Sequence, residues 1–138
     1  GAAGRRRWVE PRPWRIVCDH DAEGRATLER HLGMSTVPAH KAVLDGIEAV
    51  SSRLRPEADG RPRLFLMRDA RIHDADPVLV DAVRPAATVE EIPGYVWDTG
   101  AGKKPKEAPV KDMDDGLDCA RYCACELDRG VQPRTRWM

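Results

Sequence analysis

The sequence predicts an α/β chain with helices packed on a small mixed sheet, and three observations carry that expectation. Two short apolar runs, "WRIVCD" at 14–19 and "RLFLMR" at 63–68, have the length of buried strands rather than helices. Between them, Val43, Ile47, Val50 and Leu54 fall at i, i+4, i+7 and i+11, which is one face of a helix. The resulting order of strand, helix, helix, strand and then helices is that of a sheet covered by helices. Two or three strands make a poor sheet, so either further strands within the chain escape the pattern or others lie before residue 1.

The elements follow from local chemistry. Residues 1–13 carry Arg5, Arg6, Arg7 and two prolines and read as an irregular basic segment. After the first strand, "EGRATLERHLG" (23–33) reads as a helix with Leu28 and Leu32 four apart and Gly33 as its stop. An extended piece from Ser35 to Ala39 precedes the helix of 41–55, and "PEADGRP" turns the chain toward the second strand. Asp76 before Pro77 has the form of an N-cap with proline at the first helical position, which predicts a short helix over 77–83. "TVEE" (88–91) fits a capping box, with Thr88 as cap and Glu91 three residues on, and Pro93 limits that helix. "YVW" (95–97) reads as extended, 98–111 as a Gly-, Lys- and Pro-rich loop, and 112–128 as the last helix, closed by Gly130 and Pro133. Residues 14–130 are expected to form the domain and 131–138 a tail.

The chain has 138 residues, with 23 basic and 23 acidic side chains, so net charge gives no argument for nucleic acid or membrane. No apolar run approaches the ~20 residues of a membrane helix, and no signal peptide is visible. The opening Gly1-Ala2-Ala3-Gly4, without Met, is expected of a fragment or a processed product. Cys18, Cys119, Cys123 and Cys125 read as reduced thiols of a cytosolic protein. A zinc site from Cys18, His20, Cys119 and Cys123 would have Cys119 and Cys123 at i,i+4 but lacks the short C-x-x-C knuckle.

Chemistry-bearing residues concentrate in two acid clusters. In "DDGLDCARY" (114–122), Asp114 and Asp118 share a helix face, as do Asp115 and Asp118. Acids in a first turn complement the helix dipole, which accounts for Asp112, Asp114 and Asp115. Asp118 lies deeper, between apolar residues. Leu117, Ala120, Ala124 and Leu127 can face a core. Gly116 weakens a helix by ~1 kcal/mol relative to Ala, which is easier to understand if something approaches its backbone closely. In "DHDAE" (19–23), Asp19 sits where a strand delivers it to the carboxyl edge of a sheet, where sites of open α/β sheets gather. Asp19 or Asp21 can also cap the following helix. If strand and helix bring Asp19 near Asp118, the pair forms a site for hard cations, with His20 adjacent.

The ending "EIPGYVWD … KEAPVKDMDDGLDCARY" resembles the C-terminal nuclease domain of the large terminase subunit of tailed bacteriophages. "VCDHDAEGRATLERHLG", "AHKAVLDGIEAV" and "RPRLFLMRDA" match family segments in the same order, so the resemblance spans about residues 14–128. It implies a partial RNase H-like fold and a Mg²⁺- or Mn²⁺-dependent endonuclease that cuts concatemeric double-stranded DNA during packaging in the host cytoplasm. The strand-end acid corresponds to Asp19 and the acid of the "DCARY" helix to Asp118. Asp115 stands where many relatives carry His beside the metals, and Asp21 is the reserve for the strand-end ligand. Lys103, Lys104, Lys106 and Lys111 would follow the phosphate backbone. Implied partners are an ATPase motor domain, the portal and the small terminase subunit.

Two departures stand beside this resemblance. The family's first catalytic Asp lies on an opening strand, whereas the only acid before Asp19 here is Glu10, and no Gly-Lys-Ser/Thr phosphate loop is present. The segment reads as the later part of a nuclease domain. The alternative is a catalytically incomplete remnant of prophage origin that binds DNA or protein.

Overall fold

The computed structural model describes residues 12–68, 74–100 and 108–129. The architecture is mixed α/β, as the alternation of apolar runs and helical periods predicts. Contacts divide the described residues into two compact units, one up to Ala39 and one from His40 onward. The 131–138 tail, most of the basic N-terminal segment, and Lys103, Lys104 and Lys106 lie outside the described residues.

The first unit is a β–α–β element. The run at 14–19 contributes only β1 (Val17–Cys18), which pairs in parallel with β2 (Val37–Pro38) in the register Val17↔Val37 and Cys18↔Pro38. Helix α1 (Ala22–Leu32) connects them. Its start is fixed by Asp21, whose carboxylate accepts from the Gly24 N–H at 2.8 Å. Its end is Gly33, at φ 65°, whose N–H donates to the Glu29 carbonyl. A left-handed backbone of this kind is where glycine is least strained. Glu29 ties the return strand to the helix, accepting from both the N–H and the hydroxyl of buried Thr36 at 2.7 Å.

The second unit is organised by α2 (Val43–Leu54) and α5 (Asp115–Arg129), which pack on one another. The contact is made by small side chains: Ala49, Ala124 and Cys125 form the buried cluster, with Val50 against it. Gly46 lets the helices approach, since a Cβ there would meet Arg121 Cβ at 2.8 Å. The face expected from periodicity is rotated by about one position. Val43, Ile47 and Val50 are half-buried and Leu54 is exposed, whereas Gly46 and Ala49 are buried. Arg53 of α2 donates to Asp128 of α5 through two nitrogens, at 2.5 and 3.0 Å.

Helices α3 (Pro77–Asp81) and α4 (Thr88–Glu91) are short, and a 3₁₀ turn (Ile92–Gly94) follows α4. Asp76 caps α3 as expected, accepting from the Val78 N–H at 2.8 Å. The capping box at 88–91 is corrected: Thr88 is the first helical residue and Ala87 the cap position, without a side-chain cap bond. Trp97 and Pro109 form an antiparallel bridge, flanked by bonds from Asp98 to Ala108 and from Val110 to Val96.

The expected strand at 63–68 is not one. Arg63 and Leu64 donate to the Arg53 carbonyl at the end of α2, but the backbone groups of Phe65, Leu66 and Met67 find no partner among the described residues. A strand exists only through lateral hydrogen bonds, and among the described residues this segment has no neighbour to supply them.

Candidate functional site: the carboxylates of the last helix

Helix α5 begins at Asp115, three residues later than the sequence predicts, and this changes the role of its acids. Asp114 precedes the first turn, and its carbonyl accepts from the Asp118 N–H at 2.8 Å. The first turn is held from another element. Glu91, the supposed partner in the α4 capping box, accepts from the Gly116 and Leu117 amides at 3.1 and 2.9 Å. Those amides have no partner within α5, and a carboxylate there also complements the helix dipole. Gly116 is explained by the same contact, because a Cβ would lie 2.2 Å from Thr88 Oγ1.

This anchoring leaves Asp114 and Asp118 buried at 6% and 9% exposure. Both face the ammonium of Lys111, which bonds Asp114 at 2.8 Å and also Asp118. The other oxygen of Asp118 accepts from Arg121, one helical turn on and equally buried. The four groups form a charge-balanced cluster of two carboxylates and two cations. Burial works to raise the Asp118 pKa, but the bonds and charges of Lys111 and Arg121 outweigh it and hold the carboxyl below its usual range. Burial likewise works to lower Lys111, and the two carboxylates overcome it and push the ammonium up. Tyr95 stands within the field of this cluster, and its own burial raises its phenol.

Asp115, adjacent in sequence, is exposed. Asp19 and Asp21 belong to the first unit. Asp19 is exposed beside His20, 3.5 Å from its Nδ1. Asp21 is committed to capping α1. Cys18 and His20 meet at 3.1 Å, while Cys119 and Cys123 are on α5, and all four cysteines are free thiols. Within either unit, no group of three His, Cys, Asp or Glu side chains is assembled to hold a metal, among the described residues.

A hard cation takes oxygen ligands, and Mg²⁺ commonly uses one or two carboxylates and several waters. Asp114 and Asp118 supply two carboxylates that converge on one cation, the ammonium of Lys111. That lysine side chain is 68% exposed. Lys111, expected on a phosphate-tracking surface, is thus engaged with the acids.

Sequence reasoning missed Lys111, Arg121 and Glu91 as parts of this cluster. Arg121 is legible as the i+3 neighbour of Asp118. Lys111 and Glu91 reach α5 from outside it, and helical spacing carries no signal for them. Among the described residues, no helix is long and apolar enough to cross a membrane. No protein-family model, curated protein or solved structure matches this chain.

Proposed function

We propose that this chain is part of a metal-dependent DNA endonuclease of the terminase large-subunit type, on a partial RNase H-like framework. The observation supporting this reading is the convergence of Asp114 and Asp118, two acids of the "DDGLDCARY" motif, on a single cation at the start of α5. In this reading Asp118 is a metal ligand with Asp114 beside it. Asp115 lies at the exposed rim, and Asp19, with Asp21 in reserve, is the strand-end acid. When bound, Mg²⁺ or Mn²⁺ would activate a water and stabilise the leaving oxygen of a phosphodiester.

The chain's own residues have distinct tasks. Arg121 fixes one Asp118 oxygen and so sets the direction of the other. Glu91 pins the first turn of α5, so that the carboxylates do not move when their charge is met. Lys111 keeps the pair neutralised; were Asp114 and Asp118 to hold a divalent ion, it would be available to a DNA phosphate, with Lys103, Lys104 and Lys106. The ATPase motor, portal and small subunit are the partners of the whole assembly under this reading.

The second reading is a catalytically incomplete module, a prophage-derived remnant that binds DNA or protein. It is favoured by the occupation of both Asp118 oxygens by cationic side chains. Calorimetric titration with Mn²⁺ followed by a plasmid-nicking assay separates the two. The nuclease reading expects saturable Mn²⁺ binding, lost in Asp118→Asn, and Mn²⁺-dependent nicking. Absence of Mn²⁺ binding to the unaltered chain overturns it. Binding of duplex DNA without nicking establishes the second.

A further inference from the structure

The start of α2 and the end of α5 meet at a histidine. His40 lies just before α2, and its Nε2 is 2.7 Å from Asp45 Oδ2, in the first turn of that helix. The same Nε2 is 2.8 Å from Nη1 of Arg129, the last residue of α5. Arg129 also stands 3.7 Å from the Asp45 oxygen. One carboxylate, one guanidinium and one ring nitrogen thus close a triangle. The imidazole is its most shielded member, at 32% exposure, against 58% for Asp45 and 59% for Arg129.

A ring nitrogen presents one direction in the plane of the imidazole, filled either by a proton or by a lone pair. With the proton, Nε2 donates to Asp45 and sets its N–H against the N–H of Arg129. With the lone pair, it accepts from Arg129 and meets the Asp45 oxygen with like partial charge. The two short contacts are therefore alternatives, and no protonation state satisfies both. In the neutral ring the proton can sit on Nδ1, so that Nε2 accepts from Arg129 while Arg129 still pairs with Asp45. In the imidazolium both nitrogens are donors. That ring attracts Asp45 and repels Arg129. The other charged groups at this end of the helix pair are Glu48, exposed on α2, and Asp128, taken up by Arg53. Cys125 lines the same groove, and burial, with Asp45 and Asp128 behind it, keeps its thiol protonated.

We propose that His40 is a proton-operated latch between the start of α2 and the end of α5: the neutral ring holds Arg129, and the imidazolium releases it in exchange for Asp45. Histidine is the side chain that ordinarily changes charge between about pH 5 and 8. The bond that opens belongs to the last turn of α5, where a helix has carbonyls without intrahelical partners and frays first. The Arg53–Asp128 pair and the buried Ala49, Ala124 and Cys125 keep the remainder of the two helices together. The latch is at the opposite end of α5 from Asp114 and Asp118 and is independent of metal binding.

The test follows the full chain by NMR from about pH 5 to 8. It reads the ring nitrogens of His40, the Nε–H of Arg129 and the backbone amides of residues 126–129. One shared midpoint is expected, with Nε2 of His40 turning from acceptor to donor as pH falls. Arg129→Gln removes the cation that opposes the imidazolium and is expected to move the His40 midpoint up by about half a pH unit. Asp45→Asn removes the partner of the imidazolium and is expected to move it down by a similar amount. His40→Gln offers Arg129 an amide oxygen that takes no charge, and is expected to abolish the pH response at residues 126–129. Arg129 signals that do not follow the His40 midpoint overturn the proposal. So does a response at residues 126–129 that survives in His40→Gln, or a His40 midpoint unmoved in either of the other variants.

Discussion

The two acid clusters differ little in sequence and greatly in what the fold makes of them. In the first unit Asp19, Asp21 and Glu23 stand in solvent, and Asp21 is used for one local bond to a helix N–H. In the second, Asp114 and Asp118 are buried, each meets Lys111, and Asp118 also meets Arg121. An exposed carboxylate is stabilised by water whatever its neighbours do. A buried one depends on its partners, because desolvation of an unpaired charge is far more expensive than a lost surface contact. Function that requires fixed carboxylates is therefore more readily built on α5 than on the turn before α1.

The largest expected difference comes from removing one carboxylate in each unit. Asp118→Ala leaves Arg121 buried without its counter-charge and is expected to cost about 3–5 kcal/mol in urea unfolding. Asp21→Ala is expected to cost about 1 kcal/mol through the lost cap, and Asp19→Ala no more than about 0.5 kcal/mol. Equal effects at Asp19 and Asp118 would erase the contrast between the clusters. Next in size is Gly116→Ala, where the added Cβ meets Thr88 Oγ1 at 2.2 Å. Overpacking of this kind costs ~1–3 kcal/mol, and adding Thr88→Ala is expected to restore part of it. The same Gly→Ala change at a helix position with open space would instead stabilise.

The smallest effect is on pH dependence. Asp118 is depressed when folded, so its contribution is complete above its unfolded pKa of ~3.9 and is lost as pH falls through the folded value. Lys111 is raised, so its contribution is complete below ~10.4 and is lost as pH rises through the still higher folded value. Between about pH 4 and 10 the cluster contributes evenly. Lys111→Met is expected to flatten both flanks of a stability-versus-pH curve, read from amide exchange in α5. In the first unit, Glu29 is also lowered, by the backbone and hydroxyl bonds of Thr36, and its acid flank is expected to persist in Lys111→Met.

Local chemistry was legible at several caps, where the partner lay within a few residues, but the Asp118–Arg121 and Lys111–Asp114 pairs, each three residues apart, were missed. Gly33 and Asp76 act as the sequence indicates, and so does Asp21 in its capping role. The requirement for a close approach at Gly116 is met by Thr88. Periodicity found α1, α2 and α5 but misplaced the buried face of α2, because the contact with α5 is made by its small residues and not by its large ones. The reading of Thr88 and Glu91 failed because Glu91 bonds amides 25 and 26 positions away. The strand at 63–68 failed for a related reason: its pattern is that of a strand, but a ladder needs a second chain segment.

Composition and spacing by themselves determined the helices, the Gly33 stop of α1 and the grouping of acids at the start of α5, because those depend on backbone preferences and short-range hydrogen bonds. Only the tertiary structure decided which acids lose water and which cations answer them. Burial comes from packing between elements, Glu91 reaches α5 from 25 and 26 positions away, and Lys111, though near Asp114 in sequence, lies before the helix where helical spacing does not place it, so these and the exposed edge at Phe65–Met67 emerge only from the fold.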